Sequence, residues 1–154
     1  MFFCKAKKAR LGSIPGRGVS FVLVGAFKFI KMNTQKRILL VDDEQHIIIT
    51  VKARLKANNY DVLAVGNKET ALEQIAQYKP DLIISDTLGN DGYSLCQILR
   101  NNADYKGIPI MLLSAQAQKR YVLMGYAAGA TYYMIKPFDS QEFLAKIREL
   151  LKEN

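Results

Sequence analysis

The sequence predicts an α/β protein: one parallel sheet with helices packed on both of its faces. Three observations point there. Five short runs of Val, Ile, Leu and Met recur between residues 38 and 135, each apolar almost without interruption, as strands buried on both faces are. Segments with apolar residues at helical spacing separate them, so strand and helix alternate, the arrangement that crossovers between parallel strands require. Polar and charged residues gather where the runs stop, and in open parallel sheets the strand ends feed the crevice that binds ligands.

The elements follow in order. Ile38 to Val41 is the first strand, stopping at Asp42-Asp43-Glu44; Ile47, Ile48, Val51 and Leu55 then mark a helix that Asn58-Asn59 ends. Val62 to Val65 is the second strand, and Glu69 to Tyr78 the second helix, closed by Lys79-Pro80. Leu82, Ile83 and Ile84 form the third strand, which ends at Asp86 because Thr87 to Gly92 has loop composition. Tyr93 to Arg100 is the third helix and Ile108 to Leu113 the fourth strand, ending at Ser114-Ala115. The fourth helix runs from about Gln118 to Ala128 and stops at Gly129. Thr131 to Ile135 is the last strand, followed by Lys136-Pro137 and a helix capped by Asp139 or Ser140 that carries Phe143, Ile147, Leu150 and Leu151. Right-handed crossovers leave few topologies for such a chain.

At 154 residues, with 49% hydrophobic and 23% charged residues, the chain holds one ordinary domain with a core that needs no staples, and no room for a separate output module is expected. Cys4 and Cys96 are too few and too far apart for a disulfide framework, which fits a reducing cytosol. Cys96 reads as a small apolar residue on a helix face. The net charge of +8 would suggest nucleic acid, but it is unevenly placed. Residues 1–37 carry nine Lys or Arg and no acid, whereas residues 38–154 set thirteen bases against fourteen acids, a balance of −1. The basicity belongs to a tail, and no direct nucleic-acid contact by the domain is expected.

Residues 1–33 are therefore set apart from a domain at residues 34–154. The run from Val19 to Ile30 is broken by Lys28 and is well short of the ~20 residues of a spanning helix. It has the basic start and apolar middle of a secretory signal but no small-x-small cleavage site. We expect the tail to be disordered, or to be an over-extended start upstream of Met32, rather than a membrane-surface or nucleic-acid element.

Each strand that can reach a common crevice ends in a functional group: Asp42 and Asp43 after the first, Asp86 after the third, Ser114 after the fourth, Lys136 after the fifth. Three carboxylates in one pocket repel unless a cation neutralises them, and an all-oxygen set with room for water suits Mg²⁺ or Mn²⁺. With Lys136 and Ser114 able to hold further oxygens, the set fits in-line phosphoryl transfer onto Asp86. His46, just beyond the acid pair, reads as a partly exposed helix residue, since a hard-cation carboxylate site has no need of imidazole.

Residues 36 to 154 resemble the receiver domain of a two-component response regulator. The resemblance rests on I-L-L-V-D-D-E, L-I-I-S-D, D-G, M-L-L-S-A and G-A-T-Y-Y-M-I-K-P-F, in the family's order and close to its spacing. It implies a flavodoxin-like, doubly wound (βα)5 sheet of strand order 2-1-3-4-5 and a cytoplasmic, non-enzymatic signalling protein. Asp86 would be the phosphoacceptor, Asp42 and Asp43 the acid pair of the Mg²⁺ site, and the Leu88 backbone carbonyl a further metal ligand. Ser114 would follow the phosphoryl group, Lys136 would pair with it, and Tyr133 would be the aromatic switch, turning from exposed to buried. The implied partners are a sensor histidine kinase or phosphotransfer protein and a downstream protein, or a second copy after phosphorylation. These would bind on the fourth helix, fifth strand and fifth helix, about Gln118 to Leu151. The loop after Asp86 departs from the family: T-L-G-N has no Met-Pro pair and brings Asp91 in at five residues, one short.

Two rivals are weaker. S-D-T-L is similar to the D-x-D-x-T motif of aspartyl-nucleophile phosphatases, but Ile84 occupies the place of the required first Asp. A receiver-like binding module that works without phosphorylation is favoured only by the short loop.

Overall fold

The computed structural model describes residues 35–87 and 91–153, together with the backbones of Ser20–Val24 and Lys28–Met32. It divides at residues 35 and 36 into two units, two positions after the boundary expected from sequence.

In the second unit the strands are β1 (Arg37–Val41), β2 (Asp61–Val65), β3 (Leu82–Asp86), β4 (Ile110–Ser114) and β5 (Tyr132–Ile135). All are parallel and lie in the order β2-β1-β3-β4-β5, as the sequence predicts. The chain first steps from β1 outward to β2, then crosses back to β3 on the other side, so the direction of winding reverses between β1 and β3. The register sets Val41 beside Ser85, Asp86 beside Leu113 and Ser114 beside Ile135, which brings the carboxyl ends of four strands level.

The near-continuous apolar strands are explained by burial on both faces. Alternate residues point to opposite sides. Ile38, Leu40, Ile84 and Leu113 pack under α1 (Gln45–Ala57) and α5 (Ser140–Leu150), with Val51, Leu55, Phe143 and Ile147. Leu39, Val41, Ile83 and Leu112 pack against α2 (Lys68–Tyr78), α3 (Asp91–Asn101) and α4 (Lys119–Ala128), with Ile75, Leu99 and Tyr133.

The helix ends are chemically determined. The Asn67 side chain accepts from the Thr70 amide, and Asp139 accepts from the amides of Gln141 and Glu142. Asn59, Lys79 and Gly129 adopt positive φ where α1, α2 and α4 stop. The fourth strand begins two residues later than predicted, because Ile108 and Pro109 precede the ladder and Pro109 has no amide to give it.

In the first unit, Ser20–Val24 pairs antiparallel with Lys28–Met32, Ser20 opposite Met32 and Val24 opposite Lys28. This corrects the expectation of a structureless tail for those ten residues. S-F-V-L-V and K-F-I-K-M are rich in β-branched and aromatic residues, and such runs satisfy their backbone groups by pairing. The rest of the tail, and the proposal of a start at Met32, lie outside the described residues.

The core residues just named all fall between residues 38 and 147. A chain beginning at Met32 is accordingly expected to unfold with the same denaturant midpoint and slope as the full chain. A fall in the slope on truncation would mean that the first 31 residues bury surface with the domain.

Candidate functional site

The strand ends build an acidic cleft of about 390 Å³, bounded by Asp42, Asp43, Asp86 and Asp91 and by Asn67 and Lys68 at the start of α2. Asp42 follows β1 directly, and its amide continues the ladder by donating to Val65 O at 3.1 Å. Its Oδ1 accepts from the Glu44 amide at 2.8 Å, which turns the chain toward α1. Asp42 is only 3% exposed, and its Oδ2 is buried without a hydrogen-bond partner among the described residues. Asp86 closes β3 and is 9% exposed. Asp43 is exposed at the mouth.

Lys136, one residue past β5, faces these acids. Its Nζ donates to Asp86 Oδ1 at 2.9 Å and stands 3.6 Å from Asp42 Oδ2. Its amide donates to Ser114 O at 2.7 Å, which extends the β4–β5 pairing and fixes where the side chain starts. Burial alone would lower the Lys136 pKa. The hydrogen bond and charge of Asp86, with Asp42 and Glu44 beyond it, hold it above the ordinary value, so the ammonium stays charged. Asp42 is pushed above the usual carboxylate range, chiefly by burial and also by the charges of Asp86 and Glu44; the Glu44 amide and Lys136 pull the other way.

Oxygen atoms of Asp42, Asp43 and Asp86 come within 4.8 Å of one another. An all-carboxylate set of this size fits a hard divalent cation, and Asp42 Oδ2 inside it, which has no hydrogen-bond partner among the described residues, is the atom such a cation would satisfy. The cluster can hold a metal, and the Asp86 carboxylate beside it can act as a nucleophile or acceptor.

Ser114 is fully buried at the end of β4. Its Oγ accepts from Thr87 Oγ1 at 2.6 Å and from the Gln116 amide at 3.1 Å. Tyr133 differs from the expectation of an exposed ring. It is buried, because its ring belongs to the core between the sheet and α4 and its hydroxyl donates to Gln116 O at 3.0 Å. His46 is exposed, 3.4 Å from Glu44, and takes no part in the cluster. The buried Cys96 thiol is pushed up to about 11 by burial, so it behaves as an apolar residue. Leu88, whose carbonyl was expected to complete the metal shell, lies outside the described residues.

Two participants, Thr87 and Lys68, were not singled out from sequence, and a third, Gly92, entered only as part of the D-G motif. Thr87 follows Asp86 directly, and its hydroxyl was the available signal. Lys68 lines the cleft and donates to Asp91 Oδ1 at 3.2 Å and to Ser94 Oγ at 3.3 Å; a base opening the helix after β2 was its only mark. Gly92 carries a steric role: a Cβ there would stand 2.4 Å from Asp86 O, so α3 can start this close behind β3 only with glycine.

Residues 38–148 match the family model described as "Response regulator receiver domain". The DNA-binding response regulator MtrA of Mycolicibacterium smegmatis is 31% identical over 122 residues, which is 78% of this chain and 52% of MtrA. This chain thus spans about half the length of that curated relative. Among solved structures, a putative response regulator from Chloroflexus aurantiacus is 34% identical with a TM-score of 0.74, covering 77% of this chain and 99% of that one. The receiver domain of a Pseudomonas aeruginosa sensor histidine kinase, with a magnesium ion coordinated in its active site cleft, is 26% identical with a TM-score of 0.70, covering 77% and 99%.

The buried charge of Asp42 yields a prediction. Asn at this position keeps an acceptor for the Glu44 amide and removes the carboxylate, so in EDTA Asp42→Asn is expected to raise stability by about 1 kcal/mol at neutral pH. The folded pKa of Asp42 lies above its ordinary value, so the folded protein binds the extra proton and wild-type stability falls as pH rises through that pKa. The variant should lose that part of the slope. Denaturant midpoints across the acid range measure both, and a variant less stable than wild type would show that attraction to Lys136 outweighs the cost of burial.

Proposed function

The chain belongs to the response regulator receiver domain family, the signalling domains of two-component systems, and from that premise we propose that it accepts a phosphoryl group on Asp86. The observation that carries the reading is the Asp86 carboxylate at the end of β3, 2.9 Å from the Lys136 ammonium and clustered with Asp42 and Asp43. The donor would be a phosphohistidine on a sensor histidine kinase or phosphotransfer protein. An Asp86 oxygen attacks phosphorus in line, the P–O bond forms as the donor's P–N bond breaks, and the imidazole leaves with that electron pair.

Asp42, Asp43 and Asp86, with a backbone carbonyl after Asp86, would hold Mg²⁺ or Mn²⁺. Bound there, the cation would supply positive charge that offsets the carboxylates and the phosphoryl oxygens. The magnesium coordinated in the cleft of the Pseudomonas aeruginosa receiver domain supports this choice. Lys136 takes one phosphoryl oxygen as an ion-pair partner, and the Ser114 hydroxyl donates to another.

The signal leaves through α4, β5 and α5. Leu123, Met124 and Tyr126 of α4 and Ile135 of β5 are large apolar side chains exposed on that side, a composition that suits a protein partner or a second copy. Lys136 and Ser114 join the strand ends of the cleft to this face.

With a small phosphodonor and Mg²⁺, the chain should gain one base-labile acyl phosphate, detected by mass, and EDTA, Asp43→Ala or Asp86→Asn should each abolish it. Millimolar Mg²⁺ should also raise the melting temperature of wild type and not of Asp42→Asn. A wild-type chain that takes neither phosphate nor Mg²⁺ would instead be a receiver-like binding module. Ser114→Ala is expected to leave phosphorylation of Asp86 nearly intact and to weaken phosphorylation-dependent association. Equal association of the variant and wild type in sedimentation runs would remove Ser114 from the pathway.

A further inference from the structure

Tyr133 is held from three directions. Its hydroxyl donates to Gln116 O at 3.0 Å, in the segment joining β4 to α4. The same hydroxyl lies 3.5 Å from that of Tyr93, the third residue of α3. Its ring rests on α4 at Gly125. A Cβ at position 125 would stand 2.6 Å from Tyr133 Cδ2, 3.1 Å from Cε2 and 3.3 Å from Leu112 Cδ1.

Gly125 sits inside a ten-residue helix, where glycine is a poor helix former. It does not need the freedom of glycine either, since Gly129 is the only glycine with positive φ among the described residues. What position 125 contributes is the missing Cβ. Tyr93 is buried like Tyr133. Burial first, and then the Tyr133 hydroxyl, raise its phenol far above the ordinary value, so it stays neutral and able to share a proton.

We propose that Gly125 and Tyr93 are positioning residues for Tyr133: Gly125 opens the notch in α4 that receives the ring, and the Tyr93 hydroxyl keeps the Tyr133 hydroxyl at the Gln116 carbonyl. α4 then cannot shift across β5 without displacing the ring, and the ring cannot turn outward without giving up both hydroxyl contacts. The pull on this seat comes through Ser114, whose Oγ accepts from the Gln116 amide at 3.1 Å, so a movement of that hydroxyl is felt at the residue that holds Tyr133. The signalling consequence rests on Asp86 being the acceptor; the seating of the ring does not.

The test uses the full chain with no phosphoryl donor. Melting temperatures are measured for wild type, Gly125→Ala, Tyr133→Ala and the double variant. The same chains are labelled with 3-fluorotyrosine, and Tyr133→Phe assigns the Tyr133 fluorine signal. Alanine is the better helix residue, so a purely helical role predicts that Gly125→Ala raises the melting temperature in both backgrounds and leaves the signal in place. The seat predicts a reversal of sign: Gly125→Ala lowers the melting temperature when Tyr133 is present and raises it when position 133 is Ala. It also moves the Tyr133 signal toward the solvent isotope shift of an exposed tyrosine. Tyr93→Phe, which removes one oxygen and keeps the ring, should move the same signal in the same direction even if Gly125→Ala folds poorly. A change of the same sign in both backgrounds, with an unmoved Tyr133 signal in Tyr93→Phe, overturns the proposal. Beryllofluoride titration of wild type is read separately at Asp86, so failure there would count against the acceptor reading and leave the ring measurements to decide the seat.

Discussion

Among the described residues, Lys136 is the one that ties the strand ends of this sheet together. It hydrogen bonds to Asp86 at the end of β3 and faces Asp42 at the end of β1, while its own amide is bonded to Ser114 at the end of β4. A residue just past β5 therefore fixes the relative positions of three other strand ends. The constraint is electrostatic as much as geometric. Three clustered carboxylates against the Lys136 ammonium, with the cleft's Lys68 paired to Asp91, leave an excess of negative charge where two of the acids are nearly out of solvent, and such charge is costly unless compensated. The upward push on Asp42 is that cost seen from one side, and the absence of a hydrogen bond to its Oδ2 among the described residues is the same cost seen as a missing bond. The fold supplies the scaffold on which this imbalance is kept. The apolar strands and the helices on both faces hold the ends still, so the acids cannot relax away from one another.

That scaffold was legible in the sequence almost completely, because each of its signals is local. Apolar runs of four or five residues, helical spacing between them and polar residues at their ends do not depend on what lies elsewhere in the chain. The acids, Ser114 and Lys136 were legible for the same reason, since each sits at a boundary that periodicity alone reveals. What could not be read depends on contact between elements. Gly92 is required by the carbonyl of Asp86 and Gly125 by the ring of Tyr133, and neither neighbour can be inferred from the residues around the glycine. The burial of Tyr133 was missed because the residue was placed on its strand by spacing, whereas its exposure is set by α4 packing over it. Ser20–Val24 and Lys28–Met32 were read for their charge and apolar length, and the pairing between them was overlooked.

The polar groups behind the cleft differ from the core in how easily they rearrange. The residues that pack the sheet are buried hydrocarbon whose displacement opens cavities, at a cost of several kcal/mol for a large side chain. The chain of hydroxyls from Thr87 through Ser114 and the Gln116 peptide to Tyr133 is held by bonds worth about 1 kcal/mol each, with Tyr93 at a longer contact of 3.5 Å, and a hydroxyl can exchange one partner for another without leaving its site. Movement in this domain is therefore expected along that chain and at the helix it touches, while the sheet stays fixed. A hydrogen bond from Ser114 to a phosphoryl oxygen on Asp86 would be charge-assisted, worth roughly 1.5–3 kcal/mol, against about 1 kcal/mol for the neutral bond that Ser114 now receives from Thr87. The difference of roughly 0.5 to 2 kcal/mol is enough to change the ratio of two conformations by roughly 2- to 30-fold. It is too small to disturb the packed core, and that mismatch in scale is what would let a single added group act on α4 without unfolding anything on the way.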